Sequence, residues 1–346
     1  MRVFSKLGLH LRKPTSRTPS MSPFQGLPVI PNEPYTTKLP RKVSQVVLAI
    51  EKEEGAGMRV RRSIGIPRLQ NLTPFLLLDH FDSSFGGDAG AGAPDHPHRG
   101  QETITYILQG GVDHEDFVGN RGTLDAGDLQ FMTAGRGIMH SESPRADEAG
   151  KPNIGLQLWI DLPKELKYCE PRYRDLKAKE VPVATADEGK ITVKVISGQA
   201  FGVQSLSELS YTPVWYLDFS AKPGANFKLP LPHGWTAFCY VLDGEILVAD
   251  GGKGKSCPRF SNAVFEKDGD SVEIAVKQDA EQDARFILVA GMPLDQPIVQ
   301  YGPFVATSRE EVMQALSDFQ KGQNGFERAV NWVSENSRSR RNSMTG

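Results

Sequence analysis

The stretch that decides the fold begins with Pro94-Asp95-His96-Pro97-His98-Arg99-Gly100-Gln101-Glu102 and ends with Gly135-Arg136-Gly137-Ile138-Met139-His140-Ser141-Glu142. Each end carries two potential metal ligands two residues apart: His96 with His98, and His140 with Glu142. Side chains at positions i and i+2 of a strand share a face, so each pair can converge on one point. Pro97 favours this extended conformation because it moves His96 out of the helical region. Two such pairs facing each other inside a barrel would place three imidazoles and one carboxylate around one ion.

The segment that follows, Glu102-Thr-Ile-Thr-Tyr-Ile-Leu108, is rich in β-branched and aromatic residues and predicts a strand. If the strand continues unbroken from His98, then Glu102, Ile104 and Tyr106 share the face of that histidine. The alternation therefore predicts an inward-facing row with Glu102 near the mouth of the barrel.

Three linked motifs extend through this region: His96-Pro97-His98-Arg99-Gly100-x-Glu102-Thr103, His114-Glu115-Asp116-Phe117, and Gly127-Asp128-Leu129-Gln130-x-Met132-Thr133-Ala134-Gly135-Arg136-Gly137-Ile138-x-His140. Together with Val60-Arg61-Arg62-Ser63-Ile64-Gly65, Gly302-Pro303-Phe304-Val305 and Gly322-x-Asn324-Gly325-Phe326, they resemble the pirin family of the cupin superfamily. The resemblance covers roughly residues 43 to 330. It implies an all-β bicupin, with two antiparallel β-barrel (jelly-roll) domains and a few short helices.

Composition and charge narrow the functional classes. The chain has 346 residues, enough for two domains, and a formal net charge of −2, which gives no global electrostatic case for nucleic-acid or membrane binding. Its three cysteines have no metal-site spacing and favour a reducing compartment without a disulfide framework. No run approaches the 18 or so apolar residues of a membrane span. A two-barrel chain whose barrels cover each other is expected to work as a monomer.

We expect four segments along the chain. Residues 1–42 form an N-terminal extension, 43–170 the metal-binding barrel, 171–333 a second barrel without metal ligands, and 334–346 a polar, disordered tail. The first 32 residues contain five basic residues and no acid, a pattern found in mitochondrial targeting peptides, but Pro14 breaks the short amphipathic run, which favours a disordered tail. The resemblance to pirins implies the cytoplasm and nucleus instead.

The second half repeats the first in outline. Tyr240-Val-Leu-Asp-Gly244-Glu245 echoes Tyr106-Ile-Leu-Gln-Gly110-Gly111, and Lys267-Asp-Gly-Asp270 echoes Asp125-Ala-Gly-Asp128. Counting by the same offsets places Pro230 and Pro232 at the positions of His96 and His98, and Gln282 at that of His140. The repeat keeps strands and turns but loses the ligands, so one metal site is predicted.

Three histidines and a carboxylate suit Fe(II) first, and also Mn, Ni, Co, Cu or Zn. The resemblance implies a flavonol-cleaving dioxygenase of the kind named quercetin 2,3-dioxygenase, which uses a small aromatic substrate and O₂. A carboxylate would accept the proton of the flavonol 3-hydroxyl, and the heterocycle would open with loss of carbon monoxide. Glu142 is the candidate ligand and base, and Glu102 is the alternative base.

Pirins also resemble nuclear coregulators, in which an iron site senses redox state and a transcription-factor complex is the partner. Both functions need the same four ligands, so these residues do not choose between them. A pocket able to admit a planar polyphenol favours the enzyme. A charged patch beside the metal loop, formed by Arg99 and Arg136, would favour the coregulator.

Overall fold

The computed structural model describes residues 27–28, 39–55, 57–83, 92–145, 150–206, 209–250 and 254–338. Most of the predicted N-terminal extension, and the tail from residue 339 onward, lie outside these ranges. In the described part of the chain, no helix has both the length and the apolar character needed to span a bilayer.

The first barrel is built from two antiparallel sheets. Its large sheet has the order β12-β9-β6-β11-β4-β3-β2, and its small sheet has the order β5-β10-β7-β8. The strands are β2 (Ile50–Glu54), β3 (Met58–Ile64), β4 (Phe75–Asp82), β5 (Ala93–His98), β6 (Gln101–Gln109), β7 (Gly111–Asp116), β8 (Arg121–Asp125), β9 (Leu129–Thr133), β10 (Ile138–Pro144), β11 (Ile154–Asp161) and β12 (Arg172–Leu176).

The second barrel repeats this plan. Its large sheet has the order β1-β22-β19-β24-β17-β14-β13, and its small sheet has the order β18-β23-β20-β21. The strands are β1 (Val43–Leu48), β13 (Val183–Ala186), β14 (Ile191–Ser197), β17 (Val214–Ala221), β18 (Asn226–Pro230), β19 (Thr236–Asp243), β20 (Glu245–Val248), β21 (Lys255–Pro258), β22 (Ser261–Phe265), β23 (Ser271–Ala275) and β24 (Ala284–Gly291).

A few small elements complete the fold, and they confirm the expected all-β bicupin with few helices. They are two ribbons, β15 (Gln199–Ala200) with β16 (Val203–Gln204) and β25 (Val299–Tyr301) with β26 (Phe304–Ala306), short 3₁₀ turns, the α-helix α1 (Arg309–Lys321), and a helical stretch at residues 335–338. As the Ser308-x-x-Glu311 pattern predicts, α1 begins with a capping box. It ends at Gly322, whose φ of 63° is left-handed.

The two barrels exchange strands at both expected boundaries. Strand β1, which we placed in the first barrel, pairs with β22 of the second, and β12, which we placed in the second, pairs with β9 of the first. The beginning of the predicted disordered tail is also ordered: Ser334 is buried, and the Ser337 hydroxyl donates to Asp95 at 2.7 Å. The sheets therefore do not follow the predicted divisions at residues 42/43 and 170/171.

The large sheets of the two barrels pack against each other. Ile104, Tyr106 and Leu158 of the first barrel share an apolar cluster with Tyr216 and Ile287 of the second. The Tyr106 hydroxyl crosses the interface and donates to Asp218 at 2.7 Å. The central strands of each large sheet are thus buried on the face that meets the other barrel.

The interior of the second barrel is filled by apolar side chains. Phe219 stacks on Phe227 and on Phe286, with ring centroids 5.1 Å apart in both pairs. The strand pair β18–β23 occupies the place that β5–β10 holds in the first barrel, so its inward residues, rather than Gln282, stand where the histidines would be. The predicted equivalence of Gln282 and His140 was wrong because it matched Lys267–Asp270 to Asp125–Asp128. The first turn follows β22 and corresponds to the turn after β9, whereas Asp125–Asp128 precedes β9.

Candidate metal centre

Three histidines meet where β5 pairs with β10. His140 lies directly opposite His96 in the register of these strands, and His98 lies on the same face, two residues along. The ring centroids are 4.3 Å apart for His96 and His140, 4.8 Å for His96 and His98, and 5.0 Å for His98 and His140. One ring nitrogen from each residue lies within 4.8 Å of the other two. The cluster is therefore able to hold a metal ion.

Two of the three imidazoles, those of His98 and His140, are held in the neutral form that binds metals. Burial, and then the positive charge of neighbouring histidines, lower the pKa of His98 and of His140 well below 6.5, so both rings are neutral at pH 7. In His96, Nδ1 lies 2.7 Å from the carbonyl oxygen of Pro94, which leaves Nε2 available. Both ring nitrogens of His140 and the Nε2 of His98 are buried without a hydrogen-bond partner. Buried nitrogens of this kind are costly unless a ligand satisfies them, so the residues fit a metal ion.

Two residues that the sequence did not single out pack against His98. The side-chain amide of Gln101 lies 2.7 Å from Nδ1 of His98, and the indole of Trp159 meets its ring edge to face at 5.0 Å. A partner on the far nitrogen fixes the orientation of a ligating imidazole. Gln101 was missed because the sequence gives no sign that the chain turns back on itself at Gly100.

Glu142 lines the same cavity but is not part of the histidine cluster. Its Oε1 lies 3.2 Å from the hydroxyl of Thr105, and that hydroxyl lies 2.7 Å from Oε1 of Gln157. The carboxylate enters the cavity from β10 as expected. Its role as the fourth ligand stays a prediction.

Glu102 does not face the cavity, so the predicted inward-facing row of Glu102, Ile104 and Tyr106 is wrong. Its carboxylate accepts hydrogen bonds from the Thr133 hydroxyl at 2.6 Å and from the backbone N–H of Tyr211 and Thr212 at 3.0 and 2.9 Å. Burial raises the pKa of Glu102, and these donors partly offset the rise. Glu102 therefore binds the backbone just before β17 of the second barrel and is not part of the metal site.

The reason is a break in the strand after His98. Gly100 has a φ of +74°, and the chain leaves β5 and enters β6 there. The alternation restarts after this turn, so Thr105 faces inward while Ile104 and Tyr106 face the other barrel. A one-residue change of register reverses every side chain of a strand.

His96, which lies beside the other two histidines, lines a cavity of about 550 Å³. Apolar side chains from β3, β4 and β11 form much of its wall, including Val60, Leu77 and Trp159. Part of its polar lining is a band formed by Thr105, Gln157 and an Arg62–Asp79 ion pair. This combination suits a mostly apolar ligand with several oxygen atoms.

The C-terminal segment forms one rim of the cavity and is fastened beside the metal loop. Gln300, Gly302 and Pro303 line the opening. Arg99 is buried and pairs with Asp318 of α1 at 2.7 Å, and its guanidinium lies over the ring of Phe326 at 4.7 Å. Arg99 is therefore structural and does not contribute to the surface patch that would have favoured a coregulator.

Comparison with known proteins agrees with this geometry. The family model for pirin matches residues 57–160, and the model for the pirin C-terminal cupin domain matches residues 216–325. The chain belongs to the pirin family. It is 47% identical to human pirin over 297 residues, covering 85% of this chain and 98% of that protein. A pirin-like protein of tomato, Solanum lycopersicum, is 45% identical, with 86% and 97% covered.

Among solved structures, this chain is similar to a quercetin 2,3-dioxygenase from Acinetobacter baumannii. The two share 31% sequence identity with a TM-score of 0.74, and the match covers 82% of this chain and 98% of the other. Because the match covers 82% of this chain, the similarity extends across both barrels.

Proposed function

We propose that this member of the pirin family is a metal-dependent dioxygenase that opens the heterocycle of flavonol-like substrates in its first barrel. The observation that carries the proposal is the geometry of the site: three histidines converge at one point, and one of them lines an apolar cavity that also contains a carboxylate. The similar quercetin 2,3-dioxygenase supports the choice of substrate class and of O₂ as co-substrate.

His96, His98 and His140 would hold the ion, with Glu142 as a fourth ligand. Fe(II) is the first choice, with Mn, Ni, Co, Cu or Zn compatible with the same donors. A bound Fe(II) would supply a Lewis-acidic, redox-active centre with open positions.

The chain's own residues bind and deprotonate the substrate. The apolar wall holds the flat rings and excludes water, and Glu142 is placed to accept the proton of the 3-hydroxyl. The Thr105 hydroxyl, 3.2 Å from Glu142, orients that carboxylate.

The test is O₂ consumption with quercetin by Fe(II)-loaded protein and by His140→Ala prepared in the same way. His233→Ala is the matched control, because His233 is an exposed histidine of the second barrel. We expect uptake in the wild type and in His233→Ala, and none above background in His140→Ala.

The alternative is a redox-sensing coregulator that binds iron without turnover and acts through a transcription-factor partner. Stoichiometric iron in the wild type, lost in His140→Ala but without O₂ uptake in either, would contradict the enzyme and favour this alternative. A nuclear and cytoplasmic location, a mitochondrial one, and the monomeric state all stay predictions.

A further inference from the structure

A row of polar side chains crosses the floor of the metal-binding cavity. In the strand registers, Arg62 lies opposite Asp79, Asp79 opposite Gln157, and Gln157 opposite Thr105. These residues come from the neighbouring strands β3, β4, β11 and β6, and all four line the cavity. Directly opposite residues stand side by side on one face of a sheet. The row therefore runs from Arg62 to the threonine that touches Glu142.

The row is about as long as a flat molecule of three rings. Neighbouring strands are about 4.8 Å apart, so three steps separate β3 from β6 by ~14 Å. One end lies beside Glu142 and the histidine cluster, and the other end is Arg62. A ligand whose reacting ring lies beside Glu142 and the histidines would place its most distant ring against Arg62.

The Arg62 end is held rigidly and is electrically balanced. Arg62 donates to Asp79 through Nε at 2.7 Å and through Nη2 at 2.6 Å, and Nη2 also donates to Glu54 at 2.6 Å. Lys52 lies 3.2 Å from Glu54. Two cations and two carboxylates thus sum to zero, so this end offers no net attraction to an anion.

Donors remain for a neutral ligand. Among the described residues, neither Nη1 of Arg62 nor Nε2 of Gln157 has a hydrogen-bond acceptor. Both side chains line the cavity. These N–H groups can donate to hydroxyl or carbonyl oxygens. A sulfonate, carboxylate or phosphate there would instead face two carboxylates already engaged with Arg62.

We propose that the row from Arg62 to Thr105 determines substrate specificity, selecting planar, uncharged, multiply hydroxylated aromatics and rejecting analogues with an anionic far ring. The inference rests on the proposed function, since it concerns the same cavity. Glu54 is the residue that sets the charge balance, because its removal leaves the cluster with a net positive charge.

The experiment compares the binding of two ligands, quercetin and quercetin sulfonated on its catechol ring. Dissociation constants are measured by calorimetry, without O₂, on Fe(II)-loaded wild type, Glu54→Gln and Glu53→Gln. Glu53→Gln is the matched control: it makes the same charge change one residue away, on an exposed side chain that does not line the cavity. Melting temperatures confirm that the three proteins are equally folded.

We expect the wild type and Glu53→Gln to prefer quercetin, and Glu54→Gln to reduce that preference by about tenfold through tighter binding of the sulfonate, since one like charge has been removed. The same preference in all three proteins would overturn the inference and leave the ion pair a structural feature of the wall. Failure of quercetin to bind the wild type would overturn it as well. Because binding is measured without turnover, failure of the proposed oxygenase appears separately in the O₂-uptake test.

Discussion

The two barrels have the same strand plan and opposite interiors. In the first, histidines, a carboxylate and a polar row surround a cavity, and in the second, stacked phenylalanines fill the space. In both, the outer face of the large sheet is apolar because the barrels cover each other there. The shared interface therefore supports the fold, and the interior of the first barrel remains available for chemistry.

The largest expected effect concerns the packed interior of the second barrel. Phe286→Ala removes a ring that stacks on Phe219 and should lower the free energy of unfolding by about 3–5 kcal/mol, since it creates a cavity that its rigid neighbours cannot fill. Guanidinium denaturation of the metal-free protein measures the change. Metal content per folded chain should not change.

The matched substitution in the first barrel is His140→Leu in the same metal-free protein. It should cost little or increase stability, because it removes a buried ring whose two nitrogens have no hydrogen-bond partner. If this variant were as unstable as Phe286→Ala, the distinction between a packed and a functional interior would not hold.

A somewhat smaller effect tests how the C-terminal helix is fastened beside the metal loop. Asp318→Ala should cost about 3 kcal/mol, because it leaves the buried guanidinium of Arg99 without its carboxylate. The double variant Arg99→Met/Asp318→Leu should recover most of that loss. Equal destabilisation by the single and double variants would show that the charges themselves are not what matters.

The same ion pair gives a dependence on pH. Burial alone would raise the pKa of Asp318, but hydrogen bonds from Arg99, Asn324, Gln314 and Gln323 outweigh it and hold the pKa at about 2, below the usual 3.8. A carboxyl group with a lowered folded-state pKa stabilises fully above its unfolded value, and loses this effect as pH falls through the folded value. The stability difference between wild type and Asp318→Asn should therefore be constant above about pH 5 and shrink as the pH falls toward 2. A difference that grew on acidification would have the wrong sign.

The smallest effect concerns the interface between the barrels. Tyr106→Phe removes one hydrogen bond to Asp218, whose carboxylate keeps its ion pair with Arg285 at 2.9 Å. The loss should be about 1 kcal/mol, measured by denaturation. A loss above about 3 kcal/mol would mean that the tyrosine hydroxyl organises the interface rather than adding to it.

The histidine cluster could be predicted from the sequence because its ligands lie two residues apart, and strand alternation acts over that distance. The sequence did not predict which face of β6 points into the barrel, because Gly100, with its positive φ, restarts the alternation. Both faces of β6 are also buried, so an apolar row did not identify the interior. Likewise, Arg62 and Asp79 could be joined to Gln157 and Thr105 only through strand pairings that the sequence does not reveal.

A single metal site in the first barrel is tested most directly by the metal content of the purified protein after loading with Fe(II). The wild type, His140→Ala and Phe286→Ala are compared. We expect one ion per chain in the wild type and in Phe286→Ala, and none in His140→Ala. Two ions per chain in the wild type, or one retained in His140→Ala, would contradict a single site built by the histidines of the first barrel.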